Sequence, residues 1–345
     1  MIDITQQHNI VQHNIVHAMR NYQALWRTPI YKYISRNGTF PSKITTQRFN
    51  NKHGSYFMST SASNFQGNND ELVLFEIDPN TRIGVLTFNS PKTYNSFTVS
   101  LSHQFRSVIQ DLHSQFTTTS SPCDAIIVTG NGRAFSAGAN LPFLHSLRGN
   151  PVHINSDIML NFYQTFLSFR TLIPVPVIAA VNGPAMGAGA CTAIACDALI
   201  TYPNVKLGFN FTRLGFHSGM AASHFLPLRM GGHSMKVNDI LLTGKVVSGT
   251  EASEYGLVTR LVENSSDVLE EAKKLAIEIT SQNHPMATRH MVKTLRMKEN
   301  QGLEEALARE VSMQAMGFAR SDWGAGLIAA KNKEEFPQFD DYHSE

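Results

Sequence analysis

Hydrophobic positions change their spacing along the chain, and the changes divide it into three parts. Up to about residue 67 there is no sustained apolar period; Asn, Gln, Ser, Thr and His are frequent, with scattered Arg and Lys. Beyond that point the pattern becomes regular. Residues 71–78 and 82–89 are β-rich runs separated by Asp78-Pro79-Asn80, a turn signal, which predicts a hairpin. Over 98–116 the period is helical: Leu101, Phe105, Val108, Ile109 and Leu112 share a face, with Thr98 placed to cap it. A largely apolar strand is predicted over 124–129, a helix over 158–172, and a second buried strand over 176–182. That strand runs into a glycine-rich turn and an alanine-rich helix ending at Cys196, followed by strands at 197–202 and 205–209. Buried strands alternating with helices predict an α/β fold. After Ser265 the pattern is helical only, over 267–280, 285–298, 303–318 and 322–333. The expected organisation is a leader over 1–70, an α/β core over 71–264 and a helical section over 265–345.

Composition narrows the function classes. The 345 residues carry 29 Lys+Arg against 27 Asp+Glu, and 42% are hydrophobic, enough for a substantial core. The net charge of +2 hides an asymmetry: residues 1–69 hold seven basic side chains and one acid, Asp3, a net +6, which leaves −4 over the remainder. Nucleic-acid binding needs basic charge spread over a folded face, so no nucleic-acid partner is expected. The most apolar stretch, 172–202, is broken by Pro174, Pro176, Pro184 and several glycines, so no membrane insertion is expected. Cys123, Cys191 and Cys196 form no CxxC pair, which argues against both a disulfide scaffold and a zinc site. The 14 His include no HExxH and no carboxylates cluster, so no metal is expected.

The leader is too polar to bury its own chain, so disorder is expected. It is also acid-poor, Arg-bearing and Ser/Thr-rich, as mitochondrial transit peptides are. The stretch 19–36 fits that reading best, while Asp3 and the His/Asn-rich first 18 residues do not, which makes Met19 an alternative start. A mitochondrial matrix address is expected, with a cytoplasmic or peroxisomal location as the alternative. A low-complexity extension without any address is the competing reading. The chain ends His343-Ser344-Glu345 rather than in the common peroxisomal tripeptide.

Familiar ligand motifs fail on inspection. Gly130-x-Gly132 lacks the third glycine of a dinucleotide fingerprint, Gly244-Lys245 lacks the upstream glycine of a phosphate loop, and Ser218 has its glycines at the wrong offsets for a nucleophile elbow. Two segments share a different physics: Arg133-Ala-Phe-Ser-Ala-Gly-Ala-Asn140 and Asn182-Gly-Pro-Ala-Met-Gly-Ala-Gly-Ala190, each leaving a buried strand. Their small residues let a ligand reach the backbone. Free N–H groups at a helix start stabilise developing negative charge, and two converging on one point make an oxyanion hole. Taken singly, each loop equally suits tight helix–strand packing.

In order and spacing these segments resemble the crotonase superfamily, the enoyl-CoA hydratase/isomerase family. The resemblance is carried by Leu86-Thr-Phe-Asn-Ser-Pro-Lys92, Ile126-Ile-Val-Thr-Gly130, Ala134-Phe-Ser-Ala-Gly-Ala-Asn140, Pro176-Val-Ile-Ala-Ala-Val-Asn-Gly183, Gly187-Ala-Gly189, Ala195-Cys-Asp197, Leu241-Leu-Thr-Gly244 and Glu251-Ala252, and extends over residues 72–340. It implies a spiral of ββα units with a C-terminal helical section that mediates trimerisation, hence a homotrimer or homohexamer. It also implies an acyl-CoA substrate, whose coenzyme A is part of the substrate rather than a separate cofactor, and an enolate of the thioester carbonyl. The matching donors are the N–H groups of Ala139 and Ala188. Coenzyme A would lie along Ala137, Gly138, Asn140 and Leu141, its phosphates near Lys92, Arg133 and Lys333, and Asn140 would cap the following turn. The reaction implied is that of an enoyl-CoA hydratase in fatty- or amino-acid breakdown. Alternatives are an isomerase, a hydrolase or decarboxylase, or a catalytically degenerate acyl-CoA binder.

The pattern breaks at the proton-handling positions. Where the family places acid/base carboxylates, this chain has Cys191, Phe211 and Gly219. His217 is the leading substitute, because its ordinary pKa suits acid/base work. His145 and Cys191 read as pocket and packing residues, Asn210 as a group that orients water, and Asp197 as a structural cap.

Overall fold

The computed structural model describes residues 56–57, 71–117, 121–232, 235–320 and 323–332, all within the unit Asn50–Glu345. The strands are β1 (Tyr56–Phe57), β2 (Val73–Ile77), β3 (Ile83–Phe88), β4 (Ala125–Gly130), β5 (Val177–Ala180), β6 (Ala185–Met186), β7 (Ala198–Thr201), β8 (Lys206–Gly208), β9 (Val246–Ser248) and β10 (Arg260–Leu261). The helices are α1 (Val99–Phe116), α2 (Leu141–His145), α3 (Val152–Leu167), α4 (Phe169–Leu172), α5 (Ala188–Ile194), α6 (Ala222–Arg229), α7 (Met235–Thr243), α8 (Gly249–Glu254), α9 (Val268–Ser281), α10 (Pro285–Glu299), α11 (Leu303–Ala319) and α12 (Trp323–Asn332).

The larger sheet runs β1-β2-β3-β4-β5-β7-β10. β2 and β3 form the predicted antiparallel hairpin, and from β3 onward each pair is parallel. Its central strands are apolar on both faces because both faces are covered. Leu86, Val128, Ala179 and Leu199 lie in register across β3, β4, β5 and β7 and join the main core. Their neighbours Ile127 and Ile178 face the other way, into a second core closed by Val268, Ala272, Leu275 and Ala276 of α9. A smaller sheet, β6-β8-β9, continues from the second glycine-rich turn.

The predicted cap holds: the Thr98 side chain accepts from Leu101 N, and Leu101, Phe105, Ile109 and Leu112 are buried. The helix predicted over 158–172 instead begins at Val152 and breaks at Ser168 into α3 and α4. Its first turn leaves Val152 and Ile154 exposed and buries Asn155, which donates to Leu147 O at 2.9 Å and accepts from Asn150 Nδ2 at 3.2 Å. Between residues 219 and 264 the short elements α6–α8, β9 and β10 are too brief to register as a period.

Asp197 is not a cap. Its carboxylate accepts from Val177 N at 2.7 Å and from Arg296 Nε of α10 at 2.8 Å. Close by, Glu299 accepts from Arg170 and Arg229, each at 2.7 Å. These pairs pin α10 to the core. The expected leader lies outside the described residues except Tyr56–Phe57, and no described helix is long and apolar enough to cross a membrane.

Candidate functional site

The site grows from the two loops that leave neighbouring strands β4 and β5. The first is held by polar side chains behind it. Asn95, fully buried in a left-handed conformation (φ 54°), donates to Asn131 O at 2.9 Å and Ala134 O at 2.8 Å; asparagine tolerates that backbone where most residues do not. Buried Ser136 donates its hydroxyl to Asn95 O and accepts from Gly138 N. Phe97 then clamps the loop edge: its N–H donates to Gly138 O at 2.7 Å and its carbonyl accepts from Asn140 N at 3.2 Å. Because Phe97 bonds the residues either side of Ala139 in a parallel bridge, the Ala139 N–H points away from it.

The second loop turns at Gly187 (φ 49°), whose N–H donates to Gly208 O at 2.8 Å, and opens α5 at Ala188. Ala188 has ordinary negative φ, so its methyl is tolerated. Among the described residues neither the Ala139 nor the Ala188 N–H has an intramolecular acceptor. The loops touch: a Cβ added at Gly138 (φ 82°) would sit 2.3 Å from Met186 O and 3.2 Å from Ala188 N. One added at Gly189 would sit 2.7 Å from Ser136 O. Glycine at 138 and 189 is what allows this approach.

Both alanines line one cavity of about 230 Å³, together with Ala137 and Leu141. Its far wall is apolar, built from residues such as Met159, Phe162, Phe211, Phe216 and Met220. Asn140 caps α2, accepting from Phe143 N at 3.3 Å. Arg133 is exposed, its guanidinium 5.7 Å from the Tyr94 ring centroid, and is not among the residues that line the cavity. Lys92, also exposed, belongs to the turn Pro91–Thr93, which packs against Gly132. Lys333 lies outside the described residues.

The structure does not bring His217 into the cavity lining. Its Nδ1 lies 2.8 Å from Ser218 O, and its own carbonyl accepts from Gln314 Nε2 at 2.6 Å, so it shapes the turn. His145 is exposed near Gly324 rather than lining the cavity. Cys191 is fully buried with Sγ 3.5 Å from Gly219 O, and burial pushes its thiol well above the ordinary range. Phe211 and Asn210 do line the cavity. No described cluster of three His, Cys, Asp or Glu could hold a metal ion.

Three residues escaped the sequence reading. Tyr163 on α3 and Gln314 on α11 line the cavity, and the phenol donates to Gln314 Oε1. One turn earlier on α11, buried Glu310 accepts from Ala221 N, Ser223 N and Ser223 Oγ. Burial pushes the Glu310 carboxyl upward. The signal that could have found Glu310 and Gln314 is polar residues, four apart, on the stripe of a helix that buries Leu307 and Val311.

Residues 78–341 match the family model described as enoyl-CoA hydratase/isomerase. A "Probable enoyl-CoA hydratase" of Mycobacterium bovis is 31% identical over 269 residues, 78% of this chain and 98% of that protein. A "Probable enoyl-CoA hydratase, mitochondrial" of Dictyostelium discoideum is 30% identical over 200 residues, 58% of this chain and 67% of that protein. The crystal structure of an enoyl-CoA hydratase/isomerase from Pseudoalteromonas atlantica superposes with a TM-score of 0.65 at 23% identity, covering 78% of this chain and all of that one, a likeness of fold.

Proposed function

The chain belongs to the enoyl-CoA hydratase/isomerase family of the crotonase superfamily, and from that membership we propose that it is a lyase of the enoyl-CoA hydratase type. It holds the thioester carbonyl of an acyl-CoA between the N–H groups of Ala139 and Ala188. The observation that carries this reading is that two unpaired main-chain donors, on loops in backbone contact, open into one apolar cavity. Negative charge developing on the carbonyl oxygen meets oriented dipoles there, where losing one donor typically costs ~10²–10³ in rate. The pantetheine runs along Ala137 and Leu141, which line the cavity, and Gly138 and Asn140 beside them in the chain. Exposed Lys92 and Arg133 meet the coenzyme A phosphates, with Lys333 as a further phosphate contact. No separate cofactor is required.

Around that chemistry we place a leader over 1–70 that acts as a mitochondrial transit peptide, a core over 71–264 and a helical section over 265–345, in a homotrimer or homohexamer. Exposed Met291, Leu295 and Met297 on α10 and Met235 and Leu242 on α7 support association. The acid-poor leader and the mitochondrial relative support a matrix location and a role in fatty- or amino-acid breakdown.

A second reading, acyl-CoA binding without turnover, is favoured by one observation: among the described residues no carboxylate lines the cavity. Hydration of crotonyl-CoA, followed by loss of absorbance of the conjugated thioester, separates the two. Steady turnover by the full chain supports the enzyme. Tight binding of crotonyl-CoA with no product would leave the binder.

A further inference from the structure

Among the described residues that line the cavity, only three carry polar side chains: Tyr163, Asn210 and Gln314. Tyr163 alone is ionisable. Its hydroxyl occupies a prepared position. Gly219 has no side chain, and a Cβ built there would stand 2.0 Å from Tyr163 Oη and 2.7 Å from Gln314 Nε2. The carbonyl of the same glycine faces Cys191 Sγ at 3.5 Å. The phenol therefore fills the space between two positions, 191 and 219, that offer no acid of their own. It donates to Gln314 Oε1. Gln314 is in turn fixed through Nε2 to His217 O. Met220 and Ala221 both take left-handed backbone conformations (φ 57° and 58°) in the turn that Glu310 anchors. Such conformations persist in non-glycine residues only where the surroundings impose them.

We propose that Tyr163 Oη is the catalytic proton carrier of this cavity, held in place by Gln314; the assignment rests on the acyl-CoA reading above. For hydration the step balances through one oxygen. Water forms a C–O bond at the β-carbon as the double-bond electrons pass to the enolate. The enolate takes the Oη proton at the α-carbon, forming the C–H bond. The proton shed by the adding water goes to Oη and restores the neutral phenol. One water is consumed and no charge remains on the protein. Burial pushes the phenol well above its ordinary pKa, so it enters the cycle protonated.

The test uses the full chain and crotonyl-CoA. Tyr163→Phe keeps the ring and removes the hydroxyl. Its kcat is expected to fall ~10²- to 10⁴-fold, the usual worth of a positioned acid/base, with the affinity for crotonyl-CoA changing by less than about threefold. Replacing Tyr163 by a ring-fluorinated tyrosine keeps the hydroxyl and packing but acidifies the phenol, and is expected to move the alkaline limb of the kcat profile to lower pH. A structural role leaves that limb in place, and this variant carries the test if Tyr163→Phe does not fold. A wild-type enzyme that hydrates crotonyl-CoA while Tyr163→Phe stays within about tenfold, or while the fluorinated variant leaves the limb unmoved, overturns the assignment and leaves the acyl-CoA reading standing. A wild-type chain that binds crotonyl-CoA and never hydrates it overturns the assignment and the hydratase reading together, and leaves the acyl-CoA binder.

Discussion

The ion pair between Asp197 and Arg296 allows a sharp test of how the helical section is held. Arg296 belongs to α10, and its side chain is only 4% exposed. It donates to both Asp197 oxygens and to the carbonyls of Ile173, Val175 and Phe169, which terminate the segment leading into β5. Asp197 also accepts the Val177 N–H at the start of that strand. Asp197→Ala strands a buried guanidinium, which costs about 3–5 kcal/mol. The orphaned Val177 N–H pushes the loss toward the top of that range, since an unsatisfied buried donor costs about 1–3 kcal/mol. Against a typical total of about 5–15 kcal/mol, that is a large fraction. At about 2–4 °C per kcal/mol for a domain of this size class, the melting temperature should fall by roughly 10 °C or more. The assay is urea and thermal unfolding of the full chain, wild type against Asp197→Ala, Arg296→Met and the double variant. The double variant leaves no stranded charge, so it should recover a large part of the Asp197→Ala loss. Asp197→Ala unfolding within about 1 kcal/mol of wild type, the scale of an exposed pair, would refute the reasoning.

Three further outcomes are expected. Gly138→Ala forces a methyl against Met186 O at φ 82°, so kcat with crotonyl-CoA should fall by at least ~10², and stability should fall by more than the about 1–2 kcal/mol of a left-handed alanine alone; an undiminished kcat would remove this loop from the chemistry. Glu251, in a capping box with Ser248, accepts the Ser248 N–H and pairs with Lys245, which holds its carboxyl down at about 2 against an ordinary 4.5. Its contribution is therefore present above pH 4.5 and lost as pH falls toward 2; Glu251→Gln should flatten the fall in urea midpoint across that window, and an unchanged acid limb would count against the cap. Burial pushes Cys123 and Cys196 up to about 12 and Cys191 well above its ordinary range, so native protein should resist iodoacetamide at mildly alkaline pH and expose three thiols on unfolding; rapid labelling of folded protein would contradict this.

The elements legible in the sequence are those whose burial is periodic over many residues. The β2–β3 hairpin, α1 with its Thr98 cap, the apolar run of β4 and the four C-terminal helices all satisfy that condition. The start of α3 did not, because its apolar residues Val152 and Ile154 are exposed and its buried residue is polar, Asn155, held to Leu147 O. The two main-chain donors were legible because glycine and alanine leave a compositional trace where backbones meet. The proton-handling wall was not. Tyr163 and Gln314 are 151 residues apart and meet only when α11 packs on α3, and an aromatic on an apolar helix face reads as core. His217 lay near in sequence and pointed elsewhere, its ring engaged by the next carbonyl. Asp197 read as a local cap because its partner, Arg296, comes from a helix 99 residues further on.

The pairing of Ala139 and Ala188 has a consequence for how the site can be interrogated. Both donors are amide nitrogens of residues that are already alanine, so a side-chain scan across these loops passes over them without a signal. What such a scan would register is the scaffold: Asn95, Ser136 and Phe97 behind the first loop, Gly138 and Gly189 where the loops cross. Phenotypes would therefore map around the centre rather than on it. Only a change to the chain itself, such as an ester linkage in place of the amide at 139 or 188, addresses the donor directly, because it removes the hydrogen and leaves every side chain as it was.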